Sequence, residues 1–147
     1  MEDSISNIPE DITVLQVDNT RKVMSLISTN FYNHPASKMN IIGVTGTNGK
    51  TTITFLIDAI IKEAGRKTGV IGTIHNKIGD KVVPSERTAP ESIDLLKLVA
   101  QMESEKGDDI IMEVSSHSLA LDRVAGCHFK VGVFTNLTLD HLDFHKT

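Results

Sequence analysis

The run Gly46-Thr47-Asn48-Gly49-Lys50-Thr51-Thr52 has the residue types and spacing needed to hold a chain of phosphates. Glycines let successive backbone N–H groups point into one concavity. A helix starting there adds unpaired N–H groups and the positive end of its dipole. Lys50 supplies a full charge for the β- and γ-phosphates of a nucleotide, and the Thr51 hydroxyl is placed to coordinate Mg2+. The general phosphate-loop pattern G-x-x-x-x-G-K-[ST] asks for glycine where this chain has Val44. The competing reading is a plain strand-to-helix turn that contains Gly-Lys-Thr. Two further groups of chemically capable residues follow apolar runs. Glu113 comes after Ile110 to Met112, and Asn136 to His141 come after Val131 to Phe134. Taken alone, Glu113 also fits a strand-end carboxylate in solvent, and a histidine near Asp140 and Asp143 also fits an ordinary surface residue.

The elements that would position these groups follow a rhythm of strands and helices. Asn40 to Thr45 reads as an apolar strand and Gly46 to Gly49 as a turn. Lys50 to Ala64 reads as a helix with Ile53, Ile57, Ile60 and Ile61 on its inner face and Gly65 as its stop. Thr68 to Ile71 is a second strand, and Ile74 to Val83 form a hairpin pivoting on Gly79-Asp80. Pro90 suits the first turn of a helix running to about Lys106, with Leu95, Leu98, Val99 and Met102 inward and Gly107 ending it. Ile110 to Met112 and Val131 to Phe134 are short apolar runs, as in strands covered on both faces. Upstream, Val14 to Val17 reads as a short strand. Asn19 or Thr20 caps a helix whose apolar face is Val23, Met24, Ile27 and Phe31. The turn at residues 33–37 is the best candidate for a domain boundary. Strand, helix, strand in this order predicts an α/β fold, a mostly parallel sheet with crossover helices. In such a sheet ligands bind beyond the carboxyl ends of the strands. The loop after Thr45, Glu113 and the Asn136 segment all fall there, so one site is expected.

Composition removes several classes. The net charge is −4 and aromatics make up 4% of the 147 residues, which argues against a nucleic-acid surface. An anionic ligand must then be held by a local site rather than by the overall field. Cys127 is the single cysteine, so no intrachain disulfide can form, and a small buried apolar role suits it better than that of a nucleophile. The N-terminus is acidic and polar, unlike a signal peptide, and no apolar run approaches the length of a membrane span. A soluble, cytoplasmic protein is expected.

IIGVT followed by GTNGKTT, then Glu113-Val114-Ser115-Ser116-His117, then TNLTLDHLDFH at 135–145, resemble in this order three blocks of the Mur ligase family. That family's phosphate loop has the form G-T-x-G-K-[ST], which accounts for Val44. The wording of the blocks is closest to the members that add the third residue of the peptidoglycan stem peptide. The resemblance runs from about Thr13 to Thr147. It implies that residues 1–38 are the tail of an N-terminal UDP-substrate-binding domain with its linker. Residues 39–147 would then be the N-terminal part of a central, P-loop NTPase-like ATPase domain. The family's third domain, which receives the amino acid, has no counterpart here.

The resemblance also implies an activity and its residues. The expected reaction is ATP-dependent amide-bond formation through an acyl phosphate. It adds L-lysine or meso-diaminopimelate to UDP-N-acetylmuramoyl-L-alanyl-D-glutamate, with ATP and Mg2+ as cofactors. ATP falls to Gly46, Thr47, Asn48, Gly49, Lys50, Thr51, Thr52 and Asn136. The metal ions fall to Thr51, Glu113 and His141, and catalysis to Lys50, Glu113 and His141. The UDP-N-acetylmuramoyl-dipeptide falls to Thr88, Ser115 and Arg123, the last as a two-pronged donor to a carboxylate or phosphate. Ala89 stands where threonine is usual and Leu121 where some members carry glutamine, and each removes a polar contact. His117 is expected to be structural or to support a neighbouring site residue rather than to be catalytic. Asp18, Asn19 and Arg21 resemble a segment near the end of the first domain, and a capped helix explains them equally well. The family's carbamylated lysine has no counterpart before Thr147, and Lys146 is too close to His141 to serve. This stretch by itself is therefore expected not to complete a ligation. The expected partners are the UDP-linked dipeptide and an amino acid, with neither nucleic acid nor membrane, and the expected state is a monomer. The rival readings are another ligase of the superfamily, such as a folylpolyglutamate synthase, a nucleotide-binding module without ligase chemistry, and an α/β domain whose loop binds nothing.

Overall fold

In the computed structural model, residues 8–85 and 88–146 are described. Residues 1–7, the start of the expected 1–38 domain tail and most of the acidic N-terminus, lie outside the described residues. Helix α1 (Thr20–Phe31) leads through a 3-10 turn at Pro35–Ser37 into strand β1 (Asn40–Thr45). Helix α2 (Lys50–Glu63), strand β2 (Thr68–Ile71) and the hairpin β3 (His75–Ile78) and β4 (Lys81–Pro84) follow. Helix α3 (Ser92–Ser104), strand β5 (Asp109–Glu113), helix α4 (Ser116–Ala120), strand β6 (Phe129–Phe134) and helix α5 (Leu142–His145) complete the order.

The strands form one sheet in the order β4-β3-β2-β5-β1-β6. β2, β5, β1 and β6 run parallel, and the β3–β4 hairpin adds antiparallel to β2. The connection from β1 to β2 passes across β5, and that from β5 to β6 passes across β1 in the opposite direction. The chain therefore switches direction between β1 and β5, which opens a crevice at their carboxyl ends. Val44 pairs with Glu113 and Ile71 with Met112, so the ends of β1, β5 and β2 are level.

β5 is buried along its whole length, as a central parallel strand must be. Its side chains alternate between two packed layers. Ile110 and Met112 join Ile41, Ile71, Leu95, Leu96, Val99 and Met102 in one layer, whereas Ile111 and Glu113 face α2 with Val44 and Val70. In that second layer Asp58 of α2 is buried and accepts from the Thr68 hydroxyl and from Lys62. Cys127 lies in the first layer, and burial pushes its thiol pKa up to about 12. The small buried role expected of it is what the fold contains.

Several expectations need correction. No strand forms at Val14 to Val17: the segment pairs with no strand of the sheet and stays irregular. Asn19 does cap α1, its side chain accepting from Lys22 N–H at 2.9 Å, but the helix turns its small polar face inward. Ser25 and Ser28 are buried while Met24, Ile27 and Phe31 are exposed. α1 packs on α3 and beside Gly126, where the approach is too close for large side chains. On α2, Thr54 and Asp58 hold the buried positions and Ile60 points outward. α3 begins at Ser92 with Glu91 as its cap, so Pro90 stands before the helix rather than in its first turn. Its end is set by Lys106 in the left-handed region at φ 57°, and the Gly107 N–H closes the turn onto Met102 O. β6 is a sheet edge whose residues are largely exposed, not a strand covered on both faces.

Candidate functional site

The loop between β1 and α2 stands at the crevice between β1 and β5. Gly46 takes φ 127° and Gly49, the cap of α2, takes φ 84°. The approach at Gly46 is tight. A Cβ there would lie 2.1 Å from Thr135 Oγ1 and 2.8 Å from Asn136 O. Lys50 folds back along the loop and donates to Gly46 O at 2.7 Å and to Thr47 O at 2.8 Å. Its ammonium is therefore held where the α2 N-terminus gathers N–H groups, the arrangement a polyphosphate requires. Gly46 and Gly49 give the loop the backbone conformation, and Lys50 the charge, that binding of phosphates calls for.

The segment after β6 shapes this loop from the side. Asn136 accepts the Asn48 N–H on Oδ1 at 3.0 Å and returns a bond from Nδ2 to Asn48 O at 3.0 Å. Thr135 Oγ1 also donates to Asn48 O, at 2.8 Å, and Thr47 N–H donates to Asn136 O at 3.0 Å. Thr138 N–H donates to Thr47 Oγ1 at 2.9 Å. The amide of Asn136 thus holds the loop backbone with one donor and its oxygen, so in this geometry it positions the loop.

Glu113 ends β5 with 2% of its surface exposed. A buried carboxylate must be compensated, and here three donors do so. Thr51 Oγ1 donates to Oε2 at 2.9 Å, Thr73 N–H to Oε1 at 3.0 Å, and the Thr73 hydroxyl lies 3.1 Å from Oε2. Thr51 and Glu113 therefore place two hard oxygen donors side by side at the start of α2. That donor set fits Mg2+, which takes oxygen ligands from one or two carboxylates and completes its shell with phosphates and water. Among the described residues no group of three or more His, Cys, Asp or Glu is gathered as an all-protein metal cage.

The other expected residues are distributed around this centre. Thr88 is joined to it through Thr73, the two hydroxyls lying 3.0 Å apart. Ser115, two residues after Glu113, caps α4 and accepts from Ser118 N–H at 3.2 Å. Arg123 belongs to a different cluster. Its Nη2 lies 3.0 Å from Glu91 Oε1, Arg21 Nη1 lies 3.0 Å from Glu91 Oε2, and Arg123 Nε is buried without a partner. These three residues line a cleft of about 500 Å3 between α1 and the start of α3. His141 has its ring edge-on to His117 at 4.7 Å, in a cluster with Phe144 and His145. His145 in turn lies 2.8 Å from Ser116 Oγ. Thr73, Gly72 and Glu91 were missed by the motif reading, and Thr135 entered it only as the first residue of the third block. For Thr73 and Gly72 the available signal was position, directly past the end of a strand next to β5.

The family model for the Mur ligase middle domain matches residues 44–147. A UDP-N-acetylmuramoyl-L-alanyl-D-glutamate--2,6-diaminopimelate ligase of Clostridium botulinum is 55% identical over 138 residues, 94% of this chain and 29% of the relative. A solved structure of a ligase with the same name superposes with a TM-score of 0.74 at 32% identity, over 87% of this chain and 26% of the other. E. coli FolC in complex with DHPP and ADP superposes with a TM-score of 0.60 at 22% identity, over 90% of this chain and 36% of that one, a likeness of fold. The chain thus spans about 29% of the length of the relative it matches.

Proposed function

The chain belongs to the Mur ligase family, and from that premise we propose that it is the MgATP-binding part of a ligase that extends the peptidoglycan stem peptide. The whole protein would join 2,6-diaminopimelate to UDP-N-acetylmuramoyl-L-alanyl-D-glutamate in the cytoplasm. The choice of amino acid rests on the name carried by relatives at 50–55% identity. Residues 39–147 would open the central ATPase domain and residues 1–38 would end the preceding substrate-binding domain. No helix among the described residues is long and apolar enough to cross a membrane.

The observation that carries the reading is the loop at Gly46–Lys50, set at the β1–β5 crevice with the paired Thr51 and Glu113 beside it. Bound MgATP would supply the phosphoryl group that turns a substrate carboxylate into an acyl phosphate, with ADP as the leaving group, and an incoming amine would then displace inorganic phosphate to form the amide. The chain's own residues do the positioning, which is the main catalytic task in phosphoryl transfer. Lys50 would exchange its two loop carbonyls for phosphate oxygens. Thr51 and Glu113 would hold the metal ion, with His141 assigned to a second ion by the family resemblance. Thr88, Ser115 and Arg123 would face the UDP-linked dipeptide, and Arg123 would have to exchange its bond to Glu91 for the substrate's anionic group.

Calorimetric titration with MgATP, run beside Lys50→Ala, tests the reading. The parent chain is expected to bind, and the variant to bind at least tenfold more weakly, about 1.4 kcal/mol. Equal affinity of the two chains would sink the assignment of the loop.

A further inference from the structure

Neither the sequence motifs nor the family match singles out Thr73, yet three parts of the site meet at it. Its N–H donates to Glu113 Oε1 at 3.0 Å. Its hydroxyl lies 3.1 Å from Glu113 Oε2 and 3.0 Å from Thr88 Oγ1. A hydroxyl carries one proton, and an ionised carboxylate is a stronger acceptor than another hydroxyl. Thr73 therefore donates to Glu113 and accepts from Thr88. The direction of each bond is then fixed, from Thr88 to Thr73 to Glu113, with Thr51 donating to the same carboxylate from the other side. Gly72 supplies the clearance. A Cβ at that position would sit 2.4 Å from Glu113 Oε1 and 3.2 Å from its carboxyl carbon. With Glu113 only 2% exposed, a displaced carboxylate has little room to settle elsewhere.

We infer that Thr73, with Gly72 as its clearance, is a positioning residue that aims the Glu113 carboxylate at the metal ion of bound MgATP and ties it to Thr88 on the substrate side. The inference rests on the MgATP-site reading above. It gives the two ends of the site a physical connection. A change in the bonds of Thr51 and Glu113 reaches Thr88 through two hydrogen bonds, without movement of the sheet. Residues that orient a metal ligand in this way change metal affinity by about tenfold to a hundredfold when removed.

The test is ATP binding by the whole chain, measured by calorimetry in excess Mg2+ and again in EDTA, with folding checked by circular dichroism. Thr73→Val keeps the shape and the backbone N–H but deletes the hydroxyl. It is expected to weaken ATP binding in Mg2+ by about tenfold and to leave binding in EDTA within about twofold of the parent. Thr73→Ser, which restores the hydroxyl, is expected to restore the Mg2+-dependent part. Gly72→Ala, which pushes on the carboxylate directly, is expected to reproduce the loss, and it carries the test alone should Thr73→Val not fold. Parent-like MgATP binding by a folded Thr73→Val or Gly72→Ala chain overturns the inference while leaving the nucleotide site standing. So does a loss of equal size with and without Mg2+, or a failure of serine to restore, since either would mark a merely structural corner. Absence of MgATP binding by the folded parent chain overturns the nucleotide site and this inference together.

Discussion

At the scale of single residues, Gly46 is under two separate constraints. Its φ of 127° is a conformation that side-chain-bearing residues rarely adopt, and the Thr135 hydroxyl and Asn136 carbonyl occupy the space a Cβ would need. Gly46→Ala should therefore destabilise the chain by about 1–3 kcal/mol, measured by urea denaturation. It should also weaken ATP binding, because the neighbours that must yield are the ones that shape the loop. Glu91 and Arg123 pose the opposite problem. The family resemblance assigns Arg123 to substrate, and the fold gives its guanidinium to Glu91, which also holds Arg21 of α1. Both can hold in turn, since one planar fork can exchange one carboxylate for another.

At the scale of elements, the neighbours of each helix and strand decide which face is buried. α1 carries enough apolar residues for an inward stripe. Its contact with α3 nevertheless selects Ser25 and Ser28, whose hydroxyls are small enough for close approach, and Ser28 satisfies its own hydroxyl on Met24 O at 2.7 Å. The β3–β4 hairpin is tied to the end of α3 by charge. The Lys81 ammonium hydrogen-bonds Glu105 and, with Lys67, holds its carboxyl below the ordinary carboxylate value. A carboxyl with a lowered folded-state pKa stabilises above its unfolded pKa, and that contribution disappears as pH falls through the folded value. Glu105→Gln should thus be less stable than the parent at neutral pH. The gap should close as the solution is taken to about pH 2–3, below the carboxylate range. Urea denaturation at the two pH values reads the difference, and added salt should shrink it at neutral pH because the pairs are at the surface.

At the scale of the whole molecule, binding at the β1–β5 crevice should be visible as stability. A ligand held only by the folded chain stabilises it by about 2.7 kcal/mol at a hundredfold excess over its dissociation constant. Thermal unfolding of the parent should shift upward by several degrees with saturating MgATP, whereas Lys50→Ala should shift little at the same concentration. An unchanged midpoint for the parent would contradict the proposed site. The sequence alone determined β1, α2, β2 and the hairpin turn to within a residue or so, because local period and glycine placement specify them, whereas β5 and β6 extend beyond their apolar runs and α4 and α5 carry no such signal. It also determined the family and marked out the loop at Gly46–Lys50 as the place proposed for phosphates, because each motif is written in contiguous residues. Only the tertiary structure decided that Glu113 is hydrogen-bonded to Thr73, 40 positions away, and that Asn136 is bonded to Asn48, 88 positions away. Those contacts come from the strand order β2-β5-β1-β6, which places distant segments side by side at the carboxyl ends of the strands. Which faces of α1, α2 and β6 are buried was likewise decided there, because periodicity marks a face that can be covered, while the packed neighbours determine whether it is.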